Sequence, residues 1–120
     1  MAPSGIRFAD KQVPKIISGE KSCTRINIPC PWTVGQVITA FQAVEDSDRP
    51  FALLKVTSVS EQKIGDMTEE DANKEGYESL KKFKEAWTDL HGQVNDADVV
   101  WAVGFELVKT IDEEELNTIM

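Results

Sequence analysis

The chain has 120 residues, of which 41% are hydrophobic, a length and composition that suit one globular domain with a single core. Its formal net charge of −8 is unevenly distributed. Residues 1–60 carry seven basic and five acidic side chains, whereas residues 61–120 carry six basic and sixteen acidic ones. A chain this acidic is poorly suited to non-specific nucleic-acid binding, which depends on many contacts between Lys or Arg and phosphates.

The sequence contains no targeting or metal-binding pattern. No apolar run approaches the roughly 18 residues of a membrane-spanning helix, and the first residues lack the charged and apolar regions of a signal peptide. We therefore expect a cytoplasmic protein that makes no membrane contact. Two cysteines, Cys23 and Cys30, and one histidine, His91, are too few for a disulfide framework or a zinc site, so we expect no metal and no cofactor.

The first predicted element is a short helix over residues 10–18 that follows a loose tail over residues 1–5. Asp10 suits the N-cap position, and Pro14 falls in the first turn, where a missing N–H costs little. Gly19 is expected to end the helix in a left-handed conformation. The predicted apolar face consists of Val13, Ile16 and Ile17.

Three strands are predicted next, over residues 21–28, 36–44 and 51–60, because these segments are rich in β-branched and apolar residues. Pro29 ends the first strand, since proline cannot donate a ladder hydrogen bond. The polar residues 45–50 predict a loop of hairpin type between the second and third strands.

Two helices are predicted in the acidic half. Thr68 and Asp71 have the spacing of a capping box and predict a helix that ends just before Gly76. A second helix is predicted from Ser79 to the glycine at position 92. The buried stripe of this second helix is expected to be Leu80, Phe83, Trp87 and Leu90.

A last strand is predicted over residues 98–108, followed by an acidic tail over residues 111–120. The domain is thus expected to span residues 6–110. Its element order, α-β-β-β-α-α-β, predicts an α+β fold in which a small, partly open β-barrel carries helices on its outside.

Residues 19–25, with the sequence Gly-Glu-Lys-Ser-Cys-Thr-Arg, resemble the Gly-x-Lys-x-x-Thr signature of the ASCH domain family, which belongs to the PUA-like superfamily of β-barrels. Three further segments resemble parts of that family in the same order. They are a Gly-polar turn at residues 35–38, an acidic helix ending in Glu-Gly at residues 66–77 and a closing strand at residues 99–108. The resemblance spans roughly residues 8–108 and implies a small PUA-like β-barrel with flanking helices.

The resemblance also implies work on RNA or nucleosides. ASCH proteins have been regarded as RNA-binding modules, and a bacterial subgroup of similar length hydrolyses the acetyl amide of N4-acetylcytidine. The catalytic lysine, threonine and glutamate of that subgroup match Lys21, Thr24 and Glu75. In much of the family an arginine stands two residues after the threonine, but here Arg25 follows directly. Because strand side chains alternate, Arg25 is expected on the face opposite Thr24 unless a bulge re-aims it.

Hydrolysis of an amide requires a nucleophile, a base that activates it and an acid for the leaving amine. In this scheme Thr24 supplies the hydroxyl, and Lys21 takes its proton when its amine is neutral. Glu75 passes a proton to the departing nitrogen or binds the edge of the base. Substrate binding is predicted for Arg25, for Trp32 as a stacking residue in a Pro-flanked loop, and for Lys11.

Each of these residues has a purely structural alternative. Lys21 and Glu75 are compatible with solvated surface positions, and Thr24 is a good strand former. Cys23 is a rival nucleophile without an obvious base.

Three functions therefore stay open: an amidohydrolase of an acylated nucleoside, a non-catalytic RNA-binding module, and a ribonuclease that uses Lys21. The expected partner is a modified nucleoside or a short single-stranded RNA, and the acidic C-terminal half would also suit a protein partner. The net charge favours the nucleoside, because it carries no phosphate and an RNA binder needs a broader basic stripe.

Overall fold

A computed structural model of the protein describes residues 5–44 and 47–111. The strands of this part are β1 (Gly5–Phe8), β2 (Cys23–Ile26), β3 (Val37–Val44), β4 (Ser47–Lys63) and β5 (Val99–Thr110). Its α-helices are α1 (Val13–Ser18), α2 (Glu69–Lys74) and α3 (Leu80–His91), and 3₁₀ turns at Asp10–Gln12 and Ile64–Asp66 precede α1 and α2.

The strands form one sheet in the order β1-β3-β4-β5-β2, with β1 parallel to β3 and the other pairs antiparallel. The register shifts at Ala40/Phe41, Leu53/Leu54 and Val56/Ser58. Because bulges bend a strand and increase its twist, they allow the 17 residues of β4 to belong to a curled sheet. The result is a small α+β half-barrel, which confirms the predicted fold class.

The predicted order lacked β1. Of the predicted N-terminal tail, residues 1–4 lie outside the described residues, and Gly5 already begins this strand. Four residues are too short to show an alternating pattern. β1 exists because it pairs with β3, from Gly5 opposite Thr39 onward, and such pairing across the chain leaves no local signal.

Two predicted boundaries in the strands were wrong. The first predicted strand, residues 21–28, is reduced to the four residues of β2. At its start the N–H groups of Lys21 and Ser22 donate to carbonyls of α1 and α2 instead, and at its end Asn27 and Ile28 form a bend. The predicted loop at residues 45–50 is shorter, since β4 already begins at Ser47, while residues 45 and 46 lie outside the described part. Of the predicted acidic tail, only Ile111 is described, and residues 112–120 lie outside the described part.

The first helix begins as a 3₁₀ turn, and Asp10 is not its N-cap. Ala9 occupies that position, and the Asp10 carboxylate accepts a hydrogen bond from the Gln42 side chain on β3. Gly19 ends α1 with φ of 87°, as predicted. The predicted apolar face is only partly correct, because Ile16 is buried whereas Ile17 is 44% exposed.

The helices of the acidic half agree closely with the prediction. Thr68 Oγ1 accepts from Asp71 N at 3.1 Å and Asp71 Oδ2 accepts from Thr68 N at 3.0 Å, which completes the capping box. Ser79 caps α3. In the predicted stripe, Phe83 and Trp87 are buried and Leu80 is half-buried, but Leu90 was mispredicted and is 75% exposed. It lies about one turn after Trp87, the last buried residue of α3, and lines a cleft.

The buried apolar residues form two clusters. The larger lies on the sheet and includes Phe8, Ile16 and Trp32, and the smaller lies under the helices and includes Phe83 and Trp87. The cleft is lined by residues of both clusters. No helix in the described ranges is long and apolar enough to cross a membrane.

Candidate functional site

A cleft of about 650 Å³ is lined by residues of β1, β2 and α3. It has a polar and an apolar part. Its polar part includes Lys21, Thr24, Arg25 and Glu75, and its apolar part includes Phe8, Ile26, Phe83 and Trp87. The cleft thus contains all three residues predicted to be catalytic, as well as the arginine beside them.

The backbone after α1 brings Lys21 to Glu75 across more than fifty residues of chain. The left-handed Gly19 turns the chain back, so that Lys21 N donates to Lys15 O at 3.0 Å and Ser22 N donates to Lys74 O at 2.8 Å. The second of these bonds attaches the segment to the last turn of α2. Glu75 directly follows that turn.

Lys21 is buried, with 2% of its surface exposed. Its Nζ donates to Glu75 Oε1 at 3.1 Å, to Glu75 O at 3.0 Å and to Cys23 O at 3.0 Å. These three acceptors match the three N–H groups of an ammonium ion. The bond to Glu75 O also places positive charge at the C-terminal end of α2, where it is favourable. The structural alternative for Lys21, a solvated surface lysine, is therefore wrong.

Glu75 is likewise buried and bonds two cations at once. Besides the bond to Lys21, its Oε2 accepts from Arg25 NH1 at 2.8 Å. Arg25 also donates from Nε and NH2 to Gln62 Oε1, at 3.1 and 2.8 Å. Its NH1 lies 3.7 Å from Cys23 Sγ, as expected for side chains two apart on one strand face. The guanidinium thus holds Glu75, which differs from the substrate contact predicted for it.

Thr24 lines the cleft beside this ionic cluster and is half-buried. Its neighbours on β2, Cys23 and Arg25, contact each other. The Thr24 hydroxyl makes no hydrogen bond to any residue within the described ranges, so it is available to a ligand in the cleft.

Two functional candidates were missed from the sequence, Gln62 and Tyr77. Tyr77 lines the cleft, and its hydroxyl accepts from Gln12 Nε2 at 3.2 Å. Burial raises the pKa of Tyr77, and the negative charge of Glu75 adds to this. Its position just after the helix stop at Gly76 is the only sequence signal that could have indicated it. Gln62 gave no signal, because its role depends on Arg25.

The two other predicted substrate-binding residues, Trp32 and Lys11, differ in their burial. Trp32 is only 5% exposed and belongs to the larger apolar cluster, so the structure gives its ring a packing role instead of a stacking surface. Lys11 is exposed and lines the cleft.

Cys23 is poorly suited to act as a nucleophile. It lines a separate depression of about 420 Å³, together with Gln62 and Asp71. Burial raises the pKa of Cys23 to about 11, and the charge of Glu75 adds to this, although Arg25 and Lys21 oppose it. Within residues 5–44 and 47–111, no three His, Cys, Asp or Glu side chains are grouped so as to hold a metal ion.

The fold has relatives among solved structures. The sequence itself matches no protein-family model and no curated protein. A DUF984 family protein from Enterococcus faecalis is 20% identical, covers 97% of this chain and 82% of its own, and has a TM-score of 0.68. An ASCH domain from Lactobacillus crispatus is 19% identical, with coverages of 85% and 79% and a TM-score of 0.62. The ASCH protein of Zymomonas mobilis is 12% identical, with coverages of 98% and 78% and a TM-score of 0.65.

These likenesses define the class of protein. The chain is a small α+β half-barrel. Its fold is that of the ASCH domains, which confirms the fold that the sequence resemblance implied. Identities of 20% or less show the fold alone, and function has to be argued from the site.

Proposed function

We propose that this protein hydrolyses the N4-acyl amide of a modified cytosine nucleoside, with Thr24 as the nucleophile. One observation supports this most strongly. Lys21 and Glu75, far apart in sequence, form a buried ion pair in the same cleft as a threonine hydroxyl that has no partner among the described residues. A buried charge pair is costly to build, which favours a functional role for it.

The ion pair can supply the proton transfers that the reaction needs. Lys21 first passes a proton to Glu75 Oε1, 3.1 Å away, and becomes a neutral amine. This amine takes the proton of the Thr24 hydroxyl as its oxygen attacks the acyl carbon. The bond between the acyl carbon and N4 then breaks, and the leaving nitrogen takes the proton held by Glu75. The pair is again ammonium and carboxylate, and the acyl group is an ester of Thr24.

Water completes the reaction by the same route. Lys21 again gives a proton to Glu75 and accepts one from the water that attacks the ester carbon. The ester bond breaks, the Thr24 oxygen takes the proton from Glu75, and the carboxylic acid leaves. Each turnover consumes one amide and one water and releases one amine and one acid, and the three side chains return to their starting states.

The lining of the cleft suits a neutral nucleoside. Its half-buried Ile26 and exposed Leu90 offer apolar contacts to a base. Two of its cations, Lys21 and Arg25, are already paired with Glu75. A nucleoside without phosphate needs no further cation. This agrees with the net charge of −8.

The test is to incubate the purified protein with N4-acetylcytidine and to measure cytidine and acetate by chromatography. We expect both products in equal amounts. Thr24→Val keeps the shape of the side chain and removes the hydroxyl, so its rate should fall by roughly 10³-fold. Thr33→Val is the matched control, because Thr33 is exposed and does not line the cleft. Wild-type protein that releases no cytidine would refute the proposal.

Binding of short single-stranded RNA is a second candidate, favoured by the exposed Lys11 at the cleft. A labelled oligonucleotide titrated with the protein would then show micromolar affinity that falls steeply with salt, without release of cytidine from the acetylated nucleoside.

A further inference from the structure

The side-chain amide of Gln62 connects the site to the start of α2. Its Oε1 accepts two hydrogen bonds from Arg25, and its Nε2 donates to Asp71 Oδ2 at 3.2 Å. These partners fix the orientation of the amide. Turned over, it would set its NH₂ group against the guanidinium and its oxygen against a carboxylate, which is unfavourable on both sides.

Asp71 is itself held in place. Its Oδ2 accepts from Thr68 N in the capping box, and its Oδ1 lies 3.7 Å from Arg25 NH2. Burial alone would raise the pKa of Asp71, but the hydrogen bonds from Thr68 and Gln62 and the charge of Arg25 outweigh it and lower that pKa. Asp71 therefore stays an acceptor at neutral pH.

The result is a closed chain of contacts around one short helix. Asp71 lies in the first turn of α2 and Glu75 immediately after its last residue. Arg25 contacts both, through Gln62 and an ion pair at one end and through the 2.8 Å bond at the other. At ~1.5 Å per residue the six-residue helix is ~9 Å long, so one guanidinium and one amide can connect its two ends.

We infer that Gln62 and Asp71 are positioning residues that hold the Arg25 guanidinium in the orientation in which it binds Glu75. This inference rests on the proposed function, because it assigns the contacts a purpose in the proton transfers of Glu75. Arg25 fixes the carboxylate so that Oε1 faces Lys21. If the guanidinium turns away, Glu75 loses one of its two partners and its alignment with Lys21.

The location of Gln62 makes the inference testable. Gln62 lines the separate depression and does not line the cleft, so its loss should leave substrate binding unchanged. Gln62→Leu removes both hydrogen-bonding groups at similar size. We expect kcat on N4-acetylcytidine to fall by roughly 10- to 100-fold, as for a displaced reacting group, with KM within about twofold.

A second variant restores the contact in a different form. Gln62→Glu combined with Asp71→Asn moves the carboxylate from position 71 to position 62, so the net charge is kept and Arg25 keeps its acceptor. We expect kcat within about fivefold of wild type for this double variant. Gln93→Leu, at an exposed position that lines neither the cleft nor the separate depression, is the matched control and should change nothing.

The NMR signal of the Arg25 Nε–H reports the contact independently of turnover. The Nε–H proton should be protected from exchange with solvent in the wild type, in the double variant and in Gln93→Leu. In Gln62→Leu it should exchange rapidly, so that its signal is lost. Full kcat in Gln62→Leu, or reduced kcat with an unchanged Nε–H signal, overturns the inference. Reduced kcat in a folded double variant overturns it too, even if Gln62→Leu fails to fold. Wild-type protein without turnover instead refutes the proposed function, and the positioning role with it.

Discussion

Replacing Glu75 with glutamine removes the only carboxylate that Lys21 and Arg25 share among the described contacts. The side chains of the three residues are 1%, 3% and 4% exposed for Lys21, Glu75 and Arg25. The glutamine side chain can keep an oxygen acceptor toward one cation, but its NH₂ group then faces N–H donors of the other. Among the described contacts, the variant therefore leaves the buried Lys21 without a carboxylate partner and Arg25 with Asp71 alone, at 3.7 Å.

The expected cost follows from this burial. Breaking a buried ion pair by removing one partner typically costs about 3–5 kcal/mol, and we expect a loss in that range for Glu75→Gln. Glu70→Gln is the matched control. Glu70 and Lys74 also form an ion pair in α2, at 3.7 Å, but Glu70 is 81% exposed, so its loss should cost only about 0.5 kcal/mol.

Urea denaturation at pH 7, followed by tryptophan fluorescence, gives the two free energies of unfolding. A double-mutant cycle that combines Glu75→Gln with Lys21→Met should give a coupling energy of roughly 1–3 kcal/mol between Lys21 and Glu75. If Glu75→Gln unfolds within about 1 kcal/mol of wild type, the buried cluster is not held together by this carboxylate, and the reasoning from its burial is wrong.

Three further predictions concern groups around the cluster. With a pKa of about 11 against an ordinary 9.0, the Cys23 thiol should react with iodoacetamide at pH 8 roughly 100-fold more slowly than an unfolded peptide, as measured by peptide mass spectrometry; equal rates would contradict this. Folding lowers the pKa of Asp71, so the Asp71 carboxylate stabilises the fold above its unfolded pKa of about 4, and this stabilisation is lost as the pH falls through the lower pKa of the folded state. In acid titrations, the free energy of unfolding of Asp71→Asn should therefore fall less steeply than that of wild type. Gly76→Ala should cost more than the roughly 1–2 kcal/mol of a left-handed alanine, because its Cβ would lie 3.1 Å from Lys15 Cδ and 3.3 Å from Lys21 Cβ, whereas Gly19→Ala, with a left-handed backbone at φ of 87° and open space around the Cβ, should cost only that penalty; equal melting temperatures for the two variants would count against this.

Much of the fold could be predicted from local patterns. The capping box at Thr68, the helix stops at Gly19 and Gly76 and the apolar stripe around Phe83 are signals contained in a few neighbouring residues. The missing strand β1 and the shortened β2 depend on pairing between distant segments, which local patterns do not carry.

The candidate site likewise has residues that local patterns predicted and residues that depend on distant contacts. Lys21 and Thr24 were found through their motif and Glu75 through the family resemblance. The role of Arg25 could not be predicted, because its partners Gln62 and Glu75 are 37 and 50 residues away. Trp32 was predicted to face a ligand because of its proline-flanked loop, but its side chain is buried in the larger apolar cluster.

The central claim is that the hydroxyl of Thr24 performs the chemistry, and one comparison tests it most directly. Thr24→Ser keeps the hydroxyl and removes a methyl group, whereas Thr24→Val keeps the shape and removes the hydroxyl. With N4-acetylcytidine under single-turnover conditions, we expect the serine variant to release cytidine within about tenfold of the wild-type rate and the valine variant to be roughly 10³-fold slower. Equal rates for the two variants, or a valine variant as fast as wild type, would contradict the account.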